Sequence, residues 1–422
     1  MKRICPSGHN TYKSGRAYVD NKKKVRDEEV MLSGPATDLD IFDDAVLLDP
    51  YETYGQLRDL GGAVWSLRHR AWMLPRFAEV KRALEDHGTF ISGEGVGLYP
   101  PAVEALQGTV IASDPPDHTP LRRVISARMS LRGLRAMEAQ VQEAADVLID
   151  KLVARRHIDA ITELAAGFPL MIVADLIGLP ENERDDLLNW ADAVFNTFGP
   201  ENERTLCAWD KFGALWEYIG RLDKNPEILR PGSMGREIYE AAERGEIRPE
   251  QAGRLMSAFL AAGLDTTIAS IGNFVWLFGR HPETWDSVRA NPASIPHAFN
   301  EVLRFESPVL AFRRTVAREI TIDGCQLRQG DKVLILYASA NRDGRYWDRP
   351  DEFDVARRPS EHLAFGFGIH NCAGQGLARL EAHAIMTALA RKVRRFEVGT
   401  PRRHLNNVVR SFESLPVELI PA

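Results

Sequence analysis

The sequence predicts one large, mainly α-helical domain with a small β region. Three observations carry this expectation. Apolar residues recur at helical spacing over residues 120–289, broken only near Gly199-Pro200 and Pro231-Gly232. A second helical run spans residues 376–393. The segments that read as strands are short: a hairpin at residues 64–67 and 71–74, and an extended tail over residues 406–420.

Taken in order, residues 1–39 are polar, with a basic run at Lys22-Lys23-Lys24, and read as a poorly ordered lead-in. The domain then occupies residues 40–422. Pro50-Tyr51 opens its first helix. Residues 91–116 are rich in Gly and Pro and read as a long surface loop, of a length usually found capping a site. Residues 251–280 read as one continuous helix, ended by His281-Pro282 and about 45 Å long at 1.5 Å per residue. Residues 331–362 are irregular. No stretch has the composition of a linker, so a second domain is not expected.

Composition narrows the function. With 53 Lys+Arg against 59 Asp+Glu, the net charge of −6 argues against a nucleic-acid partner. A chain 44% hydrophobic and 27% charged is globular rather than disordered. No apolar run reaches the ~18–20 residues of a membrane span. Cys5, Cys207, Cys325 and Cys372 form no CxxC pair, which points away from zinc and from a disulfide framework and towards a reducing cytoplasm.

The strongest chemistry lies at Phe365-Gly366-Phe367-Gly368-Ile369-His370-Asn371-Cys372-Ala373-Gly374-Gln375. Glycines around one cysteine suit a tight turn with positive φ. The helix that follows turns its N-terminal amides toward Cys372, and such dipoles stabilise a thiolate. A lone thiolate suits a soft metal with one protein ligand, of which haem iron is the obvious case. On these residues the chain resembles a cytochrome P450 of the soluble bacterial type. Phe365, Gly368, Cys372 and Gly374 stand at the four diagnostic places of that family's haem loop.

The resemblance implies the P450 fold, haem b as cofactor, and Cys372 as the iron ligand with Phe365 packed near its sulfur. It extends to Glu301-Val302-Leu303-Arg304, the family's Glu-x-x-Arg, whose i, i+3 spacing puts both side chains on one helix face. Arg357 matches the third member of that structural network. Ala261-Ala262-Gly263-Leu264-Asp265-Thr266-Thr267 resembles the oxygen-side motif, where Thr266 holds dioxygen and Asp265 relays protons. An acid and an alcohol there also invite a local break in the helix. His118, Arg122, Arg314, Gly366 and His370 match the family's haem contacts, cations among them suiting the propionates. Pro120 stands where a polar or basic residue is expected.

A narrower resemblance, to the bacterial 4-methoxybenzoate O-demethylase group, rests on residues 195–200, 307–312 and 405–416. It implies a pocket lined by Leu98, Phe195, Phe198, Ala262, Phe312 and Phe412. Two departures bear on substrate charge. Glu94 is an acid where the group has a base, and Ser257 and Ala258 offer no cation. The expected activity is insertion of one atom of O2 into a small, para-substituted aromatic. The electrons are expected from a separate [2Fe–2S] ferredoxin served by a flavoprotein reductase, with Arg122, Arg123 and Arg379 in its docking patch. A peroxide-driven peroxygenase would not need Asp265-Thr266. A non-catalytic haem-thiolate sensor would be expected beside a signalling or DNA-binding segment.

Overall fold

Helices form where the apolar stripe keeps a 3.6-residue period and the first turn is closed. The computed structural model describes residues 34–422. The lead-in expected over residues 1–33 lies outside them. Residues 34–39, assigned to the same lead-in, already enter the fold: β1 (Ala36–Thr37) runs parallel to β2 (Val64–Ser66).

Nine helices position the site: α1 (His118–Arg128), α2 (Leu131–Arg155), α3 (Leu187–Asn196), α4 (Glu203–Lys224), α5 (Pro249–Ala262), α6 (Asp265–Arg280), α7 (Ile295–Phe305), α8 (Tyr337–Ala340) and α9 (Gln375–Lys392). Their ends carry recognisable signals. Asn202 caps α4 by accepting from the Thr205 amide at 3.0 Å. Pro249 opens α5 at a position where no amide partner is needed. Pro120 falls in the first turn of α1 for the same reason.

Three expectations change. Residues 91–116 are not all loop: Pro100–Leu106 is a helix started by two prolines, with Ala102 and Leu106 buried. The long helix at 251–280 is two helices, α5 and α6, divided at Gly263-Leu264. The helical run over 120–289 is interrupted by a strand, His157–Asp159, followed by a wide π-helical turn at Ala160–Ala165.

The main sheet adds β3 (Ala71–Leu74), β4 (Phe90–Ile91), β5 (Phe312–Val316) and β6 (Lys332–Ile335), in the order β1-β2-β3-β6-β5-β4. β5 pairs antiparallel with β6, opposing Phe312 to Ile335 and Arg314 to Val333. With period 2, Phe312 and Arg314 share one face of β5 and Arg313 takes the other. In the tail, β7 (Arg402–His404) and β8 (Ser411–Ser414) form a hairpin, and Pro416–Pro421 pairs with both Val393–Val398 and His157–Asp159. Buried Glu306, just after α7, accepts from Arg410 Nε at 2.6 Å and lies 3.4 Å from Arg403, tying this tail to the helical core.

Two helical stretches, Ala160–Ile177 and Pro249–Arg280, are long and apolar enough to cross a membrane. Most of each lies inside the fold, as expected of core helices. Cys325 and Cys372 are free thiols, whereas Cys207 on α4 is disulfide-bonded. Spacing alone had not indicated that bond, because sequence distance says nothing about which cysteines meet in space.

Candidate functional site

The cysteine loop is built by backbone geometry. Gly366 and Gly368 hold φ of +68° and +70°. A side chain at Gly368 would also meet the Leu84 carbonyl oxygen at 2.3 Å, so glycine is required twice over. The Cys372 amide donates to the Phe365 carbonyl at 2.7 Å, closing the loop immediately ahead of α9. Burial pushes the Cys372 thiol up. The amides of Gly374 and Gln375 bond its sulfur, and Arg122 and Arg379 add positive potential, all pulling the other way. Arg379 also lies over the Phe365 ring, 4.9 Å from its centre.

Around this loop the structure gathers two arginines and two histidines. Arg122 donates to the Asn371 carbonyl at 2.7 Å and to its side chain at 2.5 Å. Arg314 is buried and donates to the Arg313 carbonyl at 2.8 Å. Burial raises the Tyr337 hydroxyl and the nearby Arg314 charge partly offsets this, a neighbour the sequence did not signal. Neither Arg122 nor Arg314 has a carboxylate partner among the described residues. The His118 and His370 rings lie 4.5 Å apart, and Nε2 of each is buried with no hydrogen-bond partner. Burial brings His118 down to about 4, with His370 and Arg122 adding repulsion, and burial lowers His370 as well. Asp114 lies 3.9 Å from His370, but its oxygens are taken by the Ser92 and Gly93 amides at 2.9 and 2.7 Å.

The acid–arginine network lies behind this wall. Arg304 forks onto Glu301 at 2.7 and 2.8 Å, and both side chains are fully buried. Arg304 also donates to the carbonyls of Asn341, Pro350 and Glu352, and Arg357 reaches Glu301 at 3.4 Å. The three residues thus pin residues 341–357 against α7. Removing one partner strands a buried charge. Glu301→Gln or Arg304→Met is expected to cost about 3–5 kcal/mol, read as a lowered unfolding midpoint and loss of haem absorbance on purification.

The break between α5 and α6 leaves the carbonyls of its last turn short of helical partners. The Thr266 hydroxyl donates to Ala262 O at 3.2 Å and the Thr267 hydroxyl to Gly263 O at 3.3 Å. Ala262 is exposed although Ala261 and Leu264 are buried, so the break borders open space. Asp265 opens α6. Burial holds its carboxyl well above the usual carboxylate range, Asp192 adds to this, and His404 partly offsets it. Burial outweighs the α6 N-terminus, which would favour the charged form.

The aromatic wall is continuous. Phe195 meets Phe198 edge to face at 5.9 Å, Phe198 meets Phe312 at 5.6 Å, and Phe312 meets Tyr337 at 5.9 Å. The Leu98 amide donates to Phe198 O at 3.0 Å, and Gly97 leaves no space for a side chain against the Phe198 backbone. Buried Arg313 clamps this loop, donating to Gly97 O at 3.0 Å and Glu94 O at 2.8 Å. Sequence reasoning missed that clamp, since only β5 alternation turns Arg313 away from Arg314. Phe412 does not join the wall. It packs on Trp276 and carries Arg403 at 3.8 Å over its face, because β8 aligns it with β7 and α6. Glu94 is exposed, and the buried Ser257 hydroxyl donates to Arg254 O at 2.7 Å.

These residues fit an iron porphyrin. A free cysteine sulfur, two unpaired buried imidazole nitrogens and two guanidiniums lacking carboxylates among the described residues offer the donors that group needs. No cluster of three or more His, Cys, Asp or Glu among the described residues offers a different metal site.

Comparison with known proteins points the same way. The family model described as Cytochrome P450 matches residues 236–415. A protein named cytochrome p450 CYP199A2 from Rhodopseudomonas palustris is 40% identical over 385 residues, covering 89% of this chain and 92% of the relative. Linalool 8-monooxygenase of Pseudomonas putida is 31% identical over 376 residues, covering 86% and 91%. Among solved structures, cytochrome P450 CREJ in complex with (4-ethylphenyl) dihydrogen phosphate superposes with a TM-score of 0.81 at 25% identity, covering 92% of this chain and 100% of that one.

Proposed function

We propose, starting from a chain that belongs to the cytochrome P450 family, that this monooxygenase oxidises a small, flat, para-substituted aromatic substrate by O-dealkylation or benzylic hydroxylation. The observation that carries the reading is the chain of edge-to-face rings from Phe195 through Phe198 to Phe312, roofed by the Leu98 loop. Such ring contacts are worth ~0.5–1.5 kcal/mol per pair beyond burial, so a fourth flat ring is favoured over a flexible chain. The bound (4-ethylphenyl) dihydrogen phosphate of the CREJ structure, itself a para-substituted single ring, supports the same class.

Haem b, when bound, supplies the oxygen activation. The chain's own residues divide the remaining work. Cys372 offers the sulfur ligand, its charge favoured by the Gly374 and Gln375 amides. His118, Arg122, Arg314 and His370 supply donors for the two propionates. The Asp265 carboxyl, which burial pushes well above the usual carboxylate range, serves as the proton donor in this reading, and the Thr266 hydroxyl beside it can pass or hold that proton. Electrons come singly from a separate [2Fe–2S] ferredoxin reduced by a flavoprotein, which Arg122, exposed Arg123 and Arg379 help to seat. The acid–threonine pair favours this route over peroxide-driven chemistry.

The substrate's charge is decided by what lines the pocket. Glu94 is exposed, so its acidity does not oppose a carboxylate from within. Ser257 and Ala258 supply no cation either. Recognition therefore rests on shape, and a neutral 4-alkylphenol or aryl ether is expected to bind at least as tightly as 4-methoxybenzoate. Spin-state titrations with such matched pairs test this. Tight binding of a terpenoid or fatty acid, with every single-ring aromatic failing, would overturn the aromatic reading.

A further inference from the structure

Asn300 stands on α7, immediately before Glu301 of the acid–arginine network, and turns its side-chain oxygen toward two donors. Arg379, on α9, donates to that oxygen from Nη1 at 2.5 Å. His362 Nε2–H donates to it at 3.4 Å. The histidine tautomer is set from the other side of the ring: the Ala364 amide donates to Nδ1 at 3.3 Å, which leaves the proton on Nε2. His362 is buried, and its ring lies 5.8 Å from that of Phe365.

Arg379 is thereby held against the cysteine loop. Its guanidinium carbon stands 4.9 Å from the centre of the Phe365 ring, and the Phe365 carbonyl accepts from the Cys372 amide at 2.7 Å. Contacts therefore run without a gap from Asn300 through Arg379 and Phe365 to the Cys372 backbone. Arg379 has no carboxylate partner among the described residues. Glu301, the acid next to Asn300 in the chain, is engaged by Arg304 and Arg357. An amide oxygen fixes a guanidinium without cancelling its charge, whereas a carboxylate in the same place would neutralise it. Simple joining of α7 to α9 would be served by either.

We propose that Asn300 is a positioning residue for electron entry: it seats Arg379 on the Phe365 ring and keeps that cation's charge whole beside the cysteine loop. The charge has two consequences. It favours the reduced, less positive state of a haem held by Cys372, and so raises the potential at which the first electron enters. It also extends the basic surface that Arg122 and Arg123 offer to the ferredoxin. The second consequence rests on the reading of a separate ferredoxin as electron donor, and the first does not. Asn300 acts only through Arg379.

The test is a cycle of Asn300→Ala, Arg379→Met and the double variant, with Asn300→Asp beside them. Aspartate keeps the size of the side chain and both accepted bonds, so it separates charge from folding. The first readout needs no turnover: the reduction potential of the haem-loaded, substrate-free protein, measured by titration with dithionite and mediators. Asn300→Ala is expected to move the potential in the negative direction, because the released guanidinium turns out into water. In the Arg379→Met background the same substitution is expected to add nothing. Asn300→Asp is expected to lower the potential while the fold is kept. The KM for ferredoxin in NADH-driven turnover should rise by about 3- to 5-fold in each single variant, the scale of one partly exposed ion pair, with the substrate-induced spin shift retained. An unchanged potential in Asn300→Ala, or an equal shift with and without Arg379, is what a merely structural tie would give, and either result overturns the proposal. Shifted potentials beside an unchanged ferredoxin KM in every variant, Arg379→Met included, would instead overturn the docking reading and leave the seat of Arg379 standing.

Discussion

Cys372→Ser is expected to abolish the absorption near ~450 nm that the reduced protein shows with carbon monoxide, because that band requires thiolate donation to the iron. The effect is all or none, since no other cysteine among the described residues approaches this loop: Cys325 is buried beside the Ala63 carbonyl, and Cys207 is disulfide-bonded on α4. Fold and ligand can be separated in the same experiment. The loop closes through the Cys372 amide and through two positive-φ glycines, none of which the substitution touches. The variant is therefore expected to fold and to retain a weakly held haem with an altered spectrum. Persistence of the band would remove the central assignment.

Thr266→Ala and Asp265→Asn are expected to produce the second-largest effects, and different ones. The Thr266 hydroxyl donates to Ala262 O at 3.2 Å, at the break that borders open space. Without it, haem and substrate still bind, but the proton is poorly steered and electrons are diverted into hydrogen peroxide. Product per NADH falls while NADH consumption continues. Asp265→Asn removes the proton donor and slows the whole cycle, by about 10²-fold on the usual scale of general acid catalysis. Stopped-flow kinetics with product and peroxide quantified against NADH distinguishes the two. Unchanged product per NADH in both variants would mean that the motif is ordinary helix interior.

How much of this was legible beforehand depends on how far apart the interacting residues lie in the chain. The cysteine loop was readable in full, because its chemistry is local. Glycines within a few residues of Cys372 set the backbone, and the helix immediately after it supplies the amides. Glu301 and Arg304 were equally plain, being one helical turn apart. Arg357 was reached only through family resemblance, since 53 residues separate it from Arg304 and only the folded meander brings its guanidinium to Glu301. The α5–α6 break was half-legible: the motif suggested a disturbed ladder, yet continuous apolar periodicity on both sides still read as one helix.

Other features belong to the tertiary structure alone. Phe412 sits in the right stretch of sequence for the pocket, but strand register turns it to Trp276 and Arg403. Arg313 clamps the loop at Glu94 and Gly97 while its neighbour Arg314 takes the opposite face, a split made by alternation along β5. His404 gains Asp192 across a long separation that carries no local pattern. By itself the sequence determined the helical character, the haem-binding loop and the acid–threonine motif, because each depends on turn chemistry and periodicity among near neighbours. Tertiary structure decided which face each strand residue shows, how burial pushes the Asp265 carboxyl above its usual range, and which distant side chains meet, because those outcomes follow from packing of segments whose sequences do not encode one another.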